Sequence, residues 1–312
     1  MARLARWQER YLRETAGSPM IDILLPYFGD SPHFRAAVKS VITQRSDGWR
    51  LICVEDASPS GDASKWLESL SDSRIFHHRN ETNLGVAGNF AKCLELVSAP
   101  SFTIMGSDDI MLPHHLEVLE QCLSRHPEAS FIQPGVEVID DVGHRNTPLP
   151  DVVKRYLRPR TNRGDVSLAG EKLAVSLSRA DWAYFPSVLW RSDEVLPIGF
   201  DSAYEIALDL GLMLDVALAG GTMVVTAPVS FQYRRHRASA SMKAARSGFR
   251  FEQERKFFRD YEHRFEGVGW SRAAGVARRH MISRLNAFTE VPAAVAARDW
   301  NSAERLLRHT FL

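Results

Sequence analysis

The sequence predicts an α/β fold: a mostly parallel sheet flanked by helices, followed by a helical C-terminal region. Three observations carry that expectation. Short apolar, β-forming runs alternate with amphipathic segments through the first 140 residues. Three of these strands end in polar segments, and open parallel sheets bind ligands at such strand ends. From residue 247 onward the apolar spacing is helical, with Phe251, Phe257, Phe258 and Tyr261 as its clearest positions.

The elements follow in order. Residues 20–25 form a strand that ends at Pro26-Tyr27-Phe28-Gly29-Asp30. Residues 33–43 are helical, with Phe34, Ala37, Val38, Val41 and Ile42 on one face. A strand over 49–54 ends at Glu55-Asp56-Ala57-Ser58-Pro59, and a short helix covers 64–70. A third strand spans 75–78, and a helix over 85–98 opens at a glycine-rich turn. The fourth strand covers 101–105, and a helix follows over 113–125. Residues 130–133 and 136–139 are further strand candidates.

Composition bounds the answer. The chain has 312 residues, 45% hydrophobic and 25% charged, enough for a sizeable core. A net charge of +1 gives no bulk-charge signal for a nucleic-acid partner. Cys53, Cys93 and Cys122 are widely spaced and odd in number. They read as reduced core residues of a cytoplasmic protein, without metal-type spacing. The N-terminal 18 residues lack the continuous apolar run of a secretory signal. They read as a basic amphipathic helix with Leu4, Trp7 and Leu12 near one face, which packs on protein or touches the inner face of a membrane. No stretch is long and apolar enough to span a bilayer.

The clearest chemical signal is Gly106-Ser107-Asp108-Asp109, at the end of the fourth strand. Adjacent carboxylates there are hard oxygen ligands, suited to Mg2+ or Mn2+ that also holds phosphates. A solvated turn is the competing reading, since Asp is common in turns. A dinucleotide fingerprint is missing: the turn after the first strand has one glycine, Gly29. No P-loop occurs.

Four segments line up with these strand ends: Pro26-Tyr27, Glu55-Asp56-Ala57-Ser58, Asn83 to Asn89, and Gly106 to Pro113. In order and spacing they resemble the family-2 glycosyltransferases, inverting enzymes of the GT-A fold with a Rossmann-like sheet. The resemblance runs over roughly residues 20–240. It implies transfer of a sugar from a nucleoside-diphosphate sugar, UDP or dTDP favoured, to a hydroxyl of a glycan, a lipid-linked glycan or a small molecule. It implies that Glu55 accepts from the N3–H of the base and that Asp56 holds the loop or the ribose. Pro26 and Tyr27 would border the base, with Tyr27 either stacking on it or packing as a core aromatic. Asn83, Gly85, Asn89 and Ser107 would complete the nucleotide site, the glycines giving close backbone approach. Asp108 and Asp109 would be the metal ligands, joined by His236. Gly106 stands where the family has its first acid, and Leu208 where many relatives have Glu.

On the acceptor side, Gly199-Phe200-Asp201 followed by Leu208-Asp209-Leu210 resembles the segment that carries the catalytic base, which falls on Asp209, with Asp201, Glu205 and Asp215 as alternative acids and a structural carboxylate as the competing reading of Asp209. Arg234 and Arg235 would neutralise the leaving diphosphate. Residues 151–165 show little periodicity and read as a mobile basic loop, a lid or a connector. Trp182 and Tyr184 offer aromatic faces to the acceptor, although core packing is the usual fate of such residues. The domain expectation is an N-terminal helical extension over 1–18, a GT-A domain over 19–245 and a helical region over 246–312. Within the GT-A domain, residues 19–140 form the nucleotide-sugar half and 141–245 the acceptor half. The C-terminal region is open to packing on the catalytic domain, covering the acceptor cleft, a homodimer or a membrane contact. A degenerate binding or scaffold protein and a nucleotidyltransferase are the rival functions. The two missing acids favour the first rival. The lack of a Gly-rich basic loop after the first strand weakens the second.

Overall fold

The structure is a computed structural model, and it describes residues 21–59, 62–204, 207–235 and 249–311. The expected N-terminal helix and His236 lie outside the described residues. The described strands form one nine-stranded mixed sheet. The first half supplies β1 (Ile21–Tyr27), β2 (Trp49–Glu55), β3 (Ile75–Arg79), β4 (Ser101–Ile104) and the short β5 (Ile110–Met111). The second half supplies β6 (Phe131–Ile139), β7 (Val166–Ala169), β8 (Leu189–Arg191) and β9 (Thr222–Arg234). Their order is β3-β2-β1-β4-β8-β6-β9-β5, with β7 also paired to β9. β1 runs parallel to β2 and β4, and β2 parallel to β3. β8 is antiparallel to β4 and β6, whereas β9 is parallel to β6.

Parallel strands need crossovers, and helices supply them. These are α1 (Pro32–Ile42), α2 (Asp62–Ser69) and α3 (Gly85–Glu95), with α4 (His115–Arg125) leading to β6. Ser31 caps α1 by accepting from the Phe34 amide at 3.0 Å, and Pro32 sits where a missing N–H costs nothing. Alternation along the strands sends side chains into two cores. Ile23, Leu25, Leu51 and Cys53 face α1 and α4. Leu24, Ile52, Val54, Phe102 and Ile104 face the other layer. That layer holds α6 (Gly170–Ala180), α8 (Leu208–Leu218), α9 (Phe249–Gly267) and α10 (Ser271–Arg279). The remaining helices are α5 (Leu149–Leu157), α7 (Ser192–Val195), α11 (Met281–Ala296) and α12 (Trp300–Phe311).

The C-terminal helices are therefore built into the main core. Phe257, Tyr261 and Phe265 of α9 pack in one cluster with Leu210, Leu212 and Leu214 of α8. The Tyr261 hydroxyl donates to the Gly211 carbonyl at 3.0 Å and to Asp215 at 2.7 Å. This double-sided burial explains why α8 is apolar nearly all round.

Three expectations change. Phe131–Ile139 form one strand, because Gly135 lets β6 continue past β9: a Cβ there would sit 2.7 Å from the Ala227 and Pro228 carbonyls. Residues 149–157 are helical, where a loop was expected over 151–165; buried Asp151 anchors that helix and supplies a polar inward position that hides its period. β9 extends to Arg234, so the basic segment begins inside the sheet. All three cysteines are buried and unpaired with one another, as expected.

At the N-terminal edge of the sheet, Asp22 and Arg50 are fully buried and bonded at 2.8 Å and 2.5 Å. The same carboxylate accepts from the Ser98 and Ala99 amides at 2.8 Å and 2.9 Å. The pair thereby fixes the turn into β4, and its remaining lone pairs are satisfied, as burial of charge requires. Asp22→Ala leaves the buried Arg50 charge without its carboxylate. It is expected to lower stability by about 3–5 kcal/mol in urea titration.

Candidate active site

Register places Tyr27 beside Glu55 and Glu55 beside Arg79, one row at the C-terminal ends of β1, β2 and β3. Glu55 is the hub of this row. Its Oε1 accepts from the Ser58 hydroxyl at 2.6 Å and from Arg79. Its Oε2 faces His77 Nε2 at 2.9 Å and the Tyr27 hydroxyl at 3.4 Å. Burial pushes its pKa up, but bonds to Ser58, His77 and Arg79 outweigh that and hold it below the usual carboxylate value. The expectation that Glu55 binds the base directly is corrected: the carboxylate has no exposure, and protein donors fill it. Tyr27 is corrected too. It is 3% exposed and stacks on Phe34 at 4.1 Å between ring centroids, with no face open to a base. Pro26 is likewise buried, paired in register with Val54. The open group of this row is Arg79, whose side chain is 44% exposed. Its signal in the sequence was only a cation at a strand end.

Asp56 holds the glycine turn. It accepts from the Leu84 and Gly85 amides at 2.7 Å and 2.9 Å and from Asn80 Nδ2 at 3.0 Å. Asn83 Oδ1 accepts from the Gly85 amide at 2.9 Å. Asn89 is buried, bonding Asn80 at 2.9 Å and the Val54 carbonyl at 3.2 Å. Asn89 is thus a strut beneath the site and not a group that faces into it. Gly85 has φ +71°, which favours glycine. The N-terminus of α3 consequently stays fixed beside the strand ends, with Val86 exposed.

Asp108 and Asp109 converge. A Cβ added at Gly106 would lie 2.5 Å from Asp109 Oδ2 and 3.2 Å from Asp108 Oδ1. The space a side chain would fill at residue 106 holds two carboxylate oxygens instead. That explains Gly106 in place of an acid. Asp109 is 1% exposed, and its Oδ1 accepts from the Arg234 amide at 2.8 Å. Burial first, then the Asp108 charge, raise its pKa well above the usual carboxylate range. Two carboxylate oxygens that both border the Gly106 Cβ position fit a divalent cation, which would offset their like charge. Ser107 is half-buried in the same turn. Arg234 is corrected from a free diphosphate ligand to a clasp. Its Nε donates to the Asp108 carbonyl at 2.7 Å, and its Nη1 donates to the Asp140 and Asp141 carbonyls at 2.7 Å and 3.0 Å.

The residues expected on the acceptor side follow from this turn through Tyr233 and Tyr184. Tyr233 lies in the field of Asp108 and Asp109, and its ring is 5.2 Å from that of Tyr184. The Tyr184 hydroxyl donates to Asp151 at 2.8 Å, and Arg235 donates to the same carboxylate at 3.0 Å. Arg235 is therefore partly committed to Asp151. Lys154 Nζ lies 5.2 Å from the Tyr184 ring centroid and 3.7 Å from Asp181 Oδ2. Asp209 sits half-buried in the first turn of α8, its Oδ1 accepting from the Leu210 amide at 2.8 Å. Leu208 is buried in packing, where a Glu would have no water. Trp182 is corrected: it has no exposure, and its Nε1 donates to Ser176 at 3.1 Å, so it is a core residue.

Asp181 escaped the sequence reading. It ends α6 with φ 42° and ψ 55°, a left-handed position that costs a non-glycine residue about 1–2 kcal/mol. Burial pushes its carboxyl up to about 7, opposed by Lys154 and Arg250 and reinforced by Asp209 and Glu254. Only the folded chain brings these groups together.

A profile of glycosyl transferase family 2 matches residues 22–185, just over half of the chain. The chain belongs to that family. Its match runs from Asp22 in β1 through Phe185 and stops before Asp209. Among solved structures, S. aureus TarS 1–349 superposes with a TM-score of 0.65 at 13% identity, covering 94% of this chain and 81% of that one. The same protein in complex with UDP-GlcNAc gives 0.58 at 12% identity, over 77% and 65%. These likenesses establish the GT-A fold. The putative colanic acid biosynthesis glycosyl transferase WcaA of Escherichia coli K12 is 28% identical over 102 residues, 32% of this chain. The match spans 37% of WcaA. An uncharacterized Mycobacterium tuberculosis protein, MT1568, is 22% identical over 71% of this chain and 68% of its own length.

Two other features of this family-2 chain lie apart from the strand-end row. Cys122, His126 and Asp165 bring three metal-type ligand atoms within 4.8 Å of one another. Asp165 accepts from Arg125 at 2.8 Å and from the Thr226 hydroxyl at 2.6 Å, so the carboxylate is already neutralised. A shallow depression lined by Ser98, Ala99, Ser192 and Asp193 opens before β4, at the opposite end of that strand from Asp108. No described helix is long and apolar enough to cross a membrane.

Gly106→Ala drives a methyl into the Asp109 carboxylate. It is expected to weaken Mn2+ binding in the presence of UDP by roughly 10- to 100-fold, read by calorimetric titration. Asp181 supplies a pH test. Its folded pKa of about 7 lies above the unfolded value of about 3.9, so the folded state keeps the proton longer. Its contribution to stability is lost as pH rises from about 4 to about 7. Asp181→Asn is expected to raise the melting temperature more at pH 8 than at pH 4; an equal change at both would contradict the raised pKa.

Proposed function

We propose that this protein is a metal-dependent, inverting glycosyltransferase. It moves a sugar from a nucleoside-diphosphate sugar to an acceptor hydroxyl, with Asp209 as general base. The observation that carries this reading is the convergence of Asp108 and Asp109 over Gly106 at a strand end of a family-2 fold. Asp108 and Asp109 would hold Mn2+ or Mg2+, which when bound neutralises the charge growing on the leaving diphosphate. His236 is a third candidate ligand.

The protein's own groups do the rest. Asp56 and Asn83 hold the α3 turn open for the nucleotide, and Ser107 borders it from the Asp-Asp turn. Glu55 acts on the base through Arg79, which it holds in place along with the Ser58 carbonyl at 2.7 Å. A guanidinium there complements a carbonyl on the base edge, which uracil and thymine both offer at C4. UDP and dTDP remain the favoured donors, and S. aureus TarS has been crystallised with UDP and with UDP-GlcNAc.

In the transfer step the acceptor oxygen forms a bond to the anomeric carbon. The bond from that carbon to the diphosphate oxygen breaks, and its electron pair leaves on the nucleoside diphosphate. The acceptor proton passes to Asp209. Inversion follows from a single displacement. Tyr184 borders this path and is the remaining aromatic candidate for the acceptor. The acceptor class stays broad: a glycan, a lipid-linked glycan or a small molecule with a free hydroxyl.

Thermal shift with UDP, dTDP, GDP, CDP and ADP, each with and without Mn2+, tests the donor site. UDP or dTDP with Mn2+ is expected to raise the melting temperature most. No shift with any nucleotide would move the scaffold reading ahead. Asp209→Asn is expected to cut transfer by roughly 100- to 10,000-fold while leaving the UDP shift intact. Undiminished transfer would remove Asp209 as the base.

A further inference from the structure

Helices α11 and α12 form an antiparallel hairpin. Ser283 Oγ and His309 Nε2, 2.8 Å apart, join the start of α11 to the end of α12. The core of this hairpin is small. Ala287 and Ala294 of α11 meet Ala303 and Leu306 of α12 and Phe251 of α9. Three of those five side chains are alanines, so the inner face buries little apolar area.

The outer face is apolar as well. Along α11, Met281, Leu285, Phe288, Pro292 and Val295 are all exposed, at successive spacings of four, three, four and three residues. Along α12, Trp300, Leu307 and Phe311 are exposed at spacings of seven and four. The two stripes make one surface: the Phe288 and Phe311 rings meet edge to face, with 6.4 Å between centroids.

This surface exceeds what a monomer ordinarily shows. Apart from Pro292, its side chains belong to residues 40–68% exposed. Taking about 150–250 Å² for each whole aromatic side chain and somewhat less for each aliphatic one, they present roughly 800 Å². The largest apolar patch of a typical monomer is about 300–600 Å². A standard-size interface takes about 800 Å² from each partner. Nor does α11 carry the charge of a solvated helix, since Arg284 and Glu290 are its only ionisable residues among sixteen. A helix apolar on nearly every side is normally buried. Pro292 inside it removes a backbone hydrogen bond, a loss that packing must offset.

Charge and spacing choose the occupant. Residues 281–311 hold four arginines, three carboxylates and no lysine. That balance lacks the basic rim that draws an interfacial helix onto anionic lipid. The four-three spacing of α11 instead makes the narrow seam by which helices pack on helices. The surface is also complementary to itself. Glu304 and Arg308 stand exposed on the outer side of α12, one turn apart. When a second α12 runs antiparallel to the first, each of these acids faces an arginine of the other copy. Phe288 is the midpoint of the α11 stripe, and reversing the stripe about it sets Met281 against Val295 of the partner subunit. A two-fold axis performs that reversal.

We propose that the outer face of α11 and α12 is the interface of a two-fold homodimer. A second copy of this chain lays its own α11–α12 hairpin across it, and the four helices form a bundle with Phe288 at the axis. The proposal goes beyond the glycosyltransferase reading and does not depend on it.

Sedimentation velocity of the full chain at micromolar concentration tests it, and the wild type is expected to sediment as a dimer. Phe288→Glu places a charge at the axis twice. It is expected to weaken self-association at least about 100-fold and give a monomer, with helical circular dichroism unchanged. Should that variant fail to fold, Phe288→Cys decides, because the position is exposed and the three native cysteines are buried. A short bismaleimide is expected to join two copies of Phe288→Cys and to leave Glu68→Cys, at an exposed position on α2, unlinked. A monomeric wild type would overturn the proposal. So would a dimer that Phe288→Glu leaves intact, or equal cross-linking of the two cysteine variants. A monomer that cosediments with phosphatidylcholine–phosphatidylglycerol vesicles would make lipid the occupant and overturn it as well.

Discussion

The site depends on the Arg234 clasp. One residue at the end of β9 uses its amide to hold Asp109, its Nε to hold the Asp108 carbonyl, and its Nη1 to hold the carbonyls of Asp140 and Asp141. Two turns from different parts of the chain are thereby tied to the last residue of the longest strand. Without that tie, two adjacent carboxylates would repel one another into solvent. With it, Asp109 is buried and Asp108 stays half-buried beside it. A charged donor bound to backbone carbonyls is among the stronger hydrogen bonds available, and it needs no counter-ion from the ligand.

The same economy of acids recurs along the strand ends. Glu55 and Asp56 are adjacent in sequence yet act in opposite directions. Glu55 points back to Ser58, His77 and Arg79, while Asp56 points forward to the amides that open α3. Neither presents a free carboxylate to the cleft. What faces outward is the group each one holds: an exposed guanidinium in one case and a fixed helix N-terminus in the other. The Asp22–Arg50 pair plays the corresponding part at the far edge of the sheet, where no ligand is expected. Charge in this protein mostly fixes geometry.

The C-terminal helices belong to that geometry. α9 packs on α8 through Phe257 and Tyr261 and carries Arg250 toward the first turn of α8, where Asp209 sits. A helix that is apolar on nearly every side cannot hold its own N-terminus against solvent. The partner that buries α8 also sets the charge around Asp209.

Much was legible from the sequence alone. Alternating apolar runs gave the strands and crossover helices of the first half, since period 2 and period 3.6 are visible locally. The strand-end motifs gave the family, and the acids at 108 and 109 fell where the sheet edge requires. Helix 149–157 was hidden because its inward position, Asp151, is polar. The sequence could not say which way a polar side chain turns. Tyr27 and Trp182 looked like ligand-facing aromatics, yet packing buries them; Arg234 looked like a free cation, yet three backbone carbonyls consume it. Asp181 had no signal, because its meaning lies in a left-handed backbone and in neighbours from α5, α8 and α9. Local periodicity fixes which elements form. Only long-range packing decides which polar atoms are left without a partner, and that choice makes the site.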